Sequence, residues 1–153
     1  MKKLRFIIWL FIVLNSQILF SQEQIKLFFS KGKTDNQIVG ISFADDEKFL
    51  GIATNYWIEL RDPQTLQQLD IFENHRILIK SMCWSPDGRT IAVGYTDGSI
   101  KLWDIDSKKE LLTMKKHINI VTCLAFSSDG KYLASGDWGG VINLWDVKSG
   151  KRL

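Results

Sequence analysis

The sequence predicts an all-β fold, built from about three similar sheets of four short antiparallel strands. The first observation behind this prediction is an internal repeat, because the pair Trp103-Asp104 returns later in the chain as Trp145-Asp146. The second is a series of Gly- and Asp-containing turn sequences between short apolar segments, and the third is the lack of helical periodicity. A fixed period indicates a row of like units, none of which buries its apolar side alone.

The middle unit shows the four-strand pattern most clearly. Its predicted strands are 79–85, 90–95, 99–104 and 110–114. Residues 86–89 (Pro-Asp-Gly-Arg) are a turn sequence, since proline presets its own φ and glycine accepts a positive φ. Asp97-Gly98 predicts a tight hairpin between the second and third strands.

The other two units follow the same order, and we place the three near 36–72, 77–114 and 119–153. The third unit has predicted strands at 121–127, 132–136 and 141–146. The first unit is degenerate, with Phe43 at the position of Trp84 and Arg61 at the position of the repeated tryptophan. Residues 24–29 align with the fourth strands of the units, whereas the sequence stops where the fourth strand of the third unit would begin.

Residues 1–21 are predicted to be a secretory signal peptide. Lys2, Lys3 and Arg5 precede a short apolar run, which cannot cross a bilayer that needs roughly 20 residues. The small residue Ser21 precedes the predicted cut. The alternative is an uncleaved membrane anchor, because Leu19 is bulky for its position before the cut. We therefore expect a protein exported to the periplasm, cell envelope or exterior, with no stable membrane span after signal removal.

The charge balance excludes one class of partner. The chain carries 20 Lys and Arg against 17 Asp and Glu, but residues 1–21 hold three of the basic residues and none of the acidic ones. The predicted mature chain, 22–153, therefore has a net charge of zero. Because the excess of positive charge belongs to the signal, we expect no nucleic-acid partner.

The two cysteines, Cys83 and Cys123, leave two interpretations open. They could pair in an oxidising compartment, but they occupy different positions of their units and the sequence does not show that their Cβ atoms approach. We expect two buried free thiols.

Two longer segments carry a resemblance to a known family. These are His75 followed by CWSPDG and VGYTDGSIKLWD, and His117 followed by AFSSDG and ASGDWGGVINLWD. The spacing from the histidine to the tryptophan is the same in both, from His75 to Trp103 and from His117 to Trp145. The chain resembles the WD-repeat β-propeller family over nearly all of 22–153. The resemblance implies a partial propeller, the N-terminal portion of a larger one, with four-stranded blades arranged around a central channel.

The resemblance also implies a hydrogen-bonded network within each blade, made by a histidine, an aspartate, a hydroxyl residue and the tryptophan. The middle blade offers His75, Asp97 and Trp103, with Val93 where the hydroxyl belongs.

The last blade offers His117, Ser135 and Trp145, with Gly139 where the aspartate belongs. Since neither network is complete on this alignment, we expect the blades to be stabilised mainly by apolar packing.

We predict no catalytic, cofactor-binding or metal-binding residue. His75 and Asp97 recur in phase with the structural repeat, so we assign them a structural role. No nucleophile elbow, phosphate loop or zinc spacing is visible.

Trp138 is the main candidate for partner binding, because it lies at a predicted hairpin tip and tryptophan is enriched at binding hot spots. Arg76 and Asn119, in the loops that carry the histidines, are weaker candidates. The alternative is that the Trp138 indole lies flat on a neighbouring blade or loop.

The leading functional hypothesis is a non-catalytic, exported scaffold of WD repeats that binds a protein or peptide. The alternative is the N-terminal regulatory or interaction part of a longer multidomain protein that carries a downstream enzyme domain. A homo-oligomer, or missing blades in a longer chain, would complete the ring, because unpaired sheet edges invite pairing.

Overall fold

The computed structural model describes residues 37–44, 48–72 and 76–153. The predicted signal at 1–21, the segment 24–29 and His75 lie outside the described residues.

The strands of the described part form three sheets, each in chain order along an antiparallel meander. Sheet 1 contains β1 (Ile38–Phe43), β2 (Leu50–Thr54), β3 (Ile58–Arg61) and β4 (Gln68–Phe72). Sheet 2 contains β5 (Ile79–Trp84), β6 (Thr90–Tyr95), β7 (Ser99–Asp104) and β8 (Glu110–Lys115). Sheet 3 contains β9 (Val121–Phe126), β10 (Tyr132–Asp137) and β11 (Ile142–Asp146).

A fourth strand begins in sheet 3 without reaching full length. Trp145 forms an isolated antiparallel bridge with Arg152. The Asp146 N–H donates to the Lys151 carbonyl at 2.9 Å, and the Leu153 N–H donates to the Leu144 carbonyl at 2.9 Å. The described chain is therefore all-β, and the prediction of a partial propeller of about three blades is confirmed.

The repeated aspartate after the third strand has a local reason for its spacing. Asp104 Oδ1 accepts hydrogen bonds from the Ser107 N–H at 2.8 Å and the Ser107 hydroxyl at 2.5 Å. Asp146 and Ser149 make the same two bonds at 2.8 and 2.6 Å. A side chain that holds its own following turn in this way replaces backbone hydrogen bonds that the turn cannot make. These hydrogen bonds hold the pKa of both carboxyl groups below the usual range.

The sheets stack side by side, with an apolar layer between each neighbouring pair. The layer between sheets 1 and 2 includes Ala53, Ile58 and Leu60 from sheet 1, against Trp84 and Ile91 from sheet 2. The Trp84 Nε1–H also donates to the Ser42 carbonyl across this interface, at 3.1 Å.

The second layer, between sheets 2 and 3, is also apolar. Ala92, Ile100 and Leu102 of sheet 2 pack against Leu133 and Trp145 of sheet 3. Sheet 2 therefore has an apolar side towards each of its neighbours. In each sheet, we call the side towards the preceding sheet its leading face, and the side towards the following sheet its trailing face.

The cysteines are both free thiols, as expected, but neither is fully buried. Cys83 is half-buried, and burial raises the pKa of its thiol to about 12. Cys123 is exposed, because it lies on the side of β9 that has no further sheet against it in the described chain. No helix among the described residues is long and apolar enough to cross a membrane.

Candidate functional site

A buried polar network crosses sheet 3. The Trp145 Nε1–H donates to Ser135 Oγ at 2.7 Å, and Ser135 Oγ lies 2.7 Å from His117 Nε2. His117 Nδ1 lies 3.0 Å from Asp137 Oδ2. Because the serine oxygen already accepts the indole proton, its own proton is free to donate to Nε2. The histidine then carries its proton on Nδ1 and donates it to the carboxylate, so every proton in the chain has one acceptor.

Asp137 is both buried and ionised. Its side chain and that of His117 are fully covered. Burial raises the pKa of the carboxyl group, but the hydrogen bonds from the Val141 N–H, at 2.9 Å, and from His117 outweigh it, so the pKa lies below the usual range. Burying a carboxylate costs little free energy when hydrogen-bond donors surround it.

Both ring nitrogens of His117 are therefore engaged inside the sheet. The Asn143 amide nitrogen also contacts them, at 3.1 and 3.3 Å. A histidine held in this way has no nitrogen left for a substrate, and its role is to join the loop before β9 to strands β10 and β11.

The expectation that Gly139 leaves this network without an aspartate is wrong. When one repeat is aligned on the next so that Trp103 matches Trp145, Asp97 matches Gly139. The carboxylate that bonds His117 nevertheless belongs to Asp137, which comes earlier on β10. The sequence did contain a clue to this contact. Ser135 and Asp137 are two positions apart, and side chains at that spacing on a strand lie on the same face.

In sheet 2 a tyrosine takes the place of that carboxylate. The pairing of β5 with β6 puts Tyr95 opposite Ile79, as the pairing of β9 with β10 puts Asp137 opposite Val121. The Trp103 Nε1–H donates to Tyr95 Oη at 3.3 Å. Tyr95 is buried, which raises the pKa of its hydroxyl and keeps it protonated.

Asp97 lies in the following hairpin, where Oδ1 accepts from the Ser99 N–H at 2.9 Å and the Ser99 hydroxyl at 2.5 Å. The structure thus places Asp97 in a turn, away from the register position of Asp137. Its contact with His75 stays a prediction, because His75 lies outside the described residues.

Sheet 1 uses an ion pair at the same place. Arg61, at the tryptophan position, bonds Glu59 Oε2 through Nε at 2.9 Å and Nη2 at 2.7 Å. The Trp57 Nε1–H donates to Glu59 Oε1 at 3.1 Å, and Arg61 Nη1 donates to the Leu66 carbonyl at 2.6 Å. Both charged side chains are buried. This pair was not predicted from the sequence, although two opposite charges at positions i and i+2 of a strand share a face.

Above the networks, the loops at one end of the sheets form a continuous surface. We call it the loop face; its segments are 54–57, 76–78, 96–98, 117–120 and 137–141. Backbone hydrogen bonds join each hairpin to a loop that enters a first strand, which is that of the following sheet for the sheet 1 hairpin and that of the same sheet for the other two. These are Ile79 N–H to Asn55 O at 2.9 Å, Thr96 N–H to Leu78 O at 3.0 Å and Trp138 N–H to Ile120 O at 2.9 Å.

The loop face brings the predicted partner-binding residues onto one surface. Trp138 is 78% exposed, so its indole projects into solvent instead of lying flat on a neighbouring blade. Asn119 is half-buried beside Gly139, and Arg76 is exposed in the loop between β4 and β5. Ile118 was not predicted from the sequence, yet it is 90% exposed directly after the buried His117. Two large apolar side chains thus project from adjoining loops.

These features define a β-propeller of WD repeats. They are the stacked sheets, the His–Ser–Trp network and the Trp-Asp pair at the end of the third strand. The family model described as IFT140 first beta-propeller matches residues 61–153, which is more than half of the chain. The chain belongs to this family.

Relatives of known name agree with that assignment. The chain is 33% identical over 73 residues to the target of rapamycin complex subunit wat1 of Schizosaccharomyces pombe, covering 46% of this chain and 23% of that protein. It is 30% identical over 59 residues to a serine-threonine kinase receptor-associated protein of Dictyostelium discoideum, covering 39% and 20% respectively. The chain therefore matches about a quarter of the length of these curated relatives or less.

A solved structure supports the fold. A chain in a crystal structure of the mitotic checkpoint complex superposes with a TM-score of 0.72 at 23% identity, covering 79% of this chain and 37% of that chain.

Proposed function

We propose that this protein is a non-catalytic, exported scaffold that binds a protein or peptide partner on its loop face, with Trp138 and Ile118 as the main contacts. The observation that carries the proposal is the projection of these two side chains from adjoining loops. Large apolar side chains that project from loop tips contribute nothing to the core, and tryptophan is enriched at binding hot spots.

The rigidity beneath these loops supports the proposal. His117 precedes Ile118 directly, and Asp137 precedes Trp138 directly, so the buried His117–Asp137 contact fixes the backbone from which both apolar side chains project. A contact surface held in place before binding loses less conformational freedom on binding.

The names of the relatives support the same class of function. One is named as a subunit of a complex and another as a receptor-associated protein, and both names describe proteins that act beside other proteins. Arg76 and Asn119 extend the proposed surface on the side of sheet 2, where they offer a partner both a charge and an amide.

Affinity capture from the cell-envelope fraction tests the proposal. The wild-type protein, Trp138→Ala and the control Leu111→Ala are used as baits, since Leu111 is an exposed apolar residue on the outer strand of sheet 2, away from the loop face. We expect a protein that the wild type and the control retain, and that Trp138→Ala loses by more than about tenfold, as hot-spot substitutions do. A set of captured proteins identical for all three baits would overturn the proposal.

Export has its own test. We expect the mature protein in the envelope or medium fraction to begin at Gln22, as N-terminal sequencing would show. Recovery of the intact protein with the cytoplasmic fraction would contradict export.

A further inference from the structure

A cleft opens between sheets 2 and 3 at the end opposite the loop face. It lies between the turn that joins β5 to β6 and the turn that joins β9 to β10, and its volume is about 390 Å³. Its half-buried lining residues include Thr90, Phe126 and Val147, and its exposed ones include Asp87 and Asp129. Pockets that hold small ligands measure about 300–1,000 Å³, so a cleft of this size suits a single large side chain.

The matching place between sheets 1 and 2 is filled by two stacked aromatic rings. Trp84 and Phe126 end the first strands of sheets 2 and 3, and they pair with Ile91 and Leu133 of the second strands. The Trp84 ring stacks on Phe49 of sheet 1, with ring centroids 6.3 Å apart and an angle of 7° between the planes. Trp84 is accordingly buried, whereas Phe126 is only half-buried.

The junction between sheets 2 and 3 lacks the ring that Phe49 provides in the first junction. Phe49 and Thr90 are equivalent, because each directly precedes the residue that pairs with the aromatic end of the first strand. Threonine is much smaller than phenylalanine, so one side of Phe126 is left facing the cleft. Val147 also stands where sheet 2 has the larger Ile105. The cleft is therefore the vacant position of an aromatic ring.

The two carboxylates at the rim favour a neutral hydrogen-bond donor over a cation. The Ser85 hydroxyl and, to a smaller extent, the charge of Arg89 hold the pKa of Asp87 below its usual range. Lys131 Nζ lies 3.1 Å from Asp129 Oδ2. Each carboxylate thus already has a basic side chain nearby and still offers lone pairs to a donor. The indole N–H of tryptophan and the phenol O–H of tyrosine are donors carried on a ring.

We propose that this cleft binds a tryptophan or tyrosine side chain of a partner protein, whose ring stacks on Phe126 in the vacant position. The N–H or O–H of that side chain donates to a carboxylate at the rim. Stacked aromatic pairs attract each other beyond the apolar area that they bury. The cleft lies at the other end of the sheets from Trp138 and Ile118, so it is a second site that does not depend on binding at the loop face.

Amide NMR spectra of the wild-type protein test the site with three small probes. N-acetyltryptophanamide carries the proposed ring, N-acetylleucinamide is apolar without a ring, and N-acetylargininamide is a planar cation. We expect saturable shifts of the Phe126 and Gly130 amide signals with the tryptophan probe at millimolar concentration. The other two probes should bind about fivefold more weakly or less, because they lack the attraction of stacked rings.

Three outcomes of this titration would overturn the proposal. The first is the lack of any saturable shift at the cleft with the tryptophan probe. The second is equal binding of the tryptophan and leucine probes, which would mean that the ring is not recognised. The third is tighter binding of the arginine probe, which would make the site one for cations.

Thr90→Phe supplies the missing ring from the protein itself. We expect this variant to lose the binding of the tryptophan probe and to unfold about 2–8 °C higher, because it fills a void as Phe49 does. Thr96→Phe is the matched control, since it adds the same ring at the loop face, where Trp138 stands one repeat later. The control should bind the probe at the cleft like the wild type. A folded Thr90→Phe variant that binds the probe with unchanged affinity would contradict the proposal.

Phe126→Leu gives a second variant, which removes the ring and retains an apolar side chain. It should lose the preference for the tryptophan probe over the leucine probe, as titration of the Gly130 amide signal would show. If the preference persists in this variant, the ring of Phe126 is not the stacking partner and the proposal is wrong.

Discussion

Sheets 2 and 3 share a repeat and differ in the chemistry of their buried polar groups. Sheet 3 joins tryptophan to a carboxylate through serine and histidine, whereas in sheet 2 the tryptophan bonds a tyrosine hydroxyl directly. Val93 stands where Ser135 does. The strand framework thus fixes the position of the tryptophan, while its hydrogen-bond acceptor is free to change. The two sheets also differ on their trailing faces, because that of sheet 2 is covered and that of sheet 3 is open.

The largest effect is expected at the two tryptophans. Trp145 is fully buried and Trp103 is half-buried. Trp145→Ala should lower the free energy of unfolding by about 3–5 kcal/mol, because it removes a large core side chain and leaves a cavity. Trp103→Ala should cost less, since part of its indole already faces solvent. Urea titration measures the free energy of unfolding of both variants. Equal losses for the two variants would mean that the different hydrogen-bond networks and burial of the two tryptophans have no effect on stability.

A pair of glycines tests the covered and open trailing faces. Gly98 and Gly140 both have positive φ, at 78° and 80°. A Cβ at Gly98 would lie 2.3 Å from the His117 carbonyl oxygen, whereas one at Gly140 would meet nothing within 4 Å.

Substitution by alanine strains the backbone by about 1–2 kcal/mol at both glycines. At Gly98 the contact with the loop of sheet 3 should add about 1–3 kcal/mol. Thermal or urea unfolding of the two variants would show this difference. If Gly140→Ala proves as costly as Gly98→Ala, then the open face of sheet 3 is covered in solution.

The hydroxyl groups of the two networks come next. Ser135→Ala leaves the Trp145 N–H and His117 without their buried partner, and should cost about 1–3 kcal/mol. Tyr95→Phe removes the longer hydrogen bond from the Trp103 indole and should cost about 0.5–1.5 kcal/mol. Denaturant unfolding at neutral pH compares them, and a larger cost for Tyr95→Phe would contradict the assignment of the stronger network to sheet 3.

The smallest expected effect is a change in pH dependence. Asp137 has a folded-state pKa below its usual value, which is about 3.9 in an unfolded chain. Its ionised form therefore contributes stability that is complete above that value and is lost as the pH falls through the lower folded pKa. Asp137→Asn should flatten the slope of unfolding free energy against pH below about pH 4. An unchanged slope would mean that other carboxylates account for acid unfolding.

The elements that were predicted correctly depend on neighbours in the chain. The β11 strand ends at Asp146, whose side chain bonds the nearby Ser149, and the Ser85–Asp87 turn is equally local. Such contacts leave a pattern in the sequence, and a repeat shows it more than once. The exposure of Trp138 could also be predicted from the sequence, because a hairpin tip is a local feature.

The elements that were missed depend on pairing across strands and sheets. Alignment of one repeat on the next pointed to Gly139, but the register of β9 with β10 selects Asp137. Tyr95 looks like one more apolar strand residue in the sequence, but in the folded sheet its hydroxyl accepts a hydrogen bond from the Trp103 Nε1–H. The burial of Glu59 with Arg61, like the exposure of Cys123, depends on what lies against each sheet.

The sequence by itself determined the order of strands and turns and the assignment to a family of repeats, because turn geometry and alternating burial act over a few residues. The tertiary structure decided which polar atoms meet inside each sheet and which apolar faces stay open. Those outcomes depend on distances between residues far apart in the chain, since the free energy of a buried hydrogen bond or an apolar contact is set by the atoms that finally surround it.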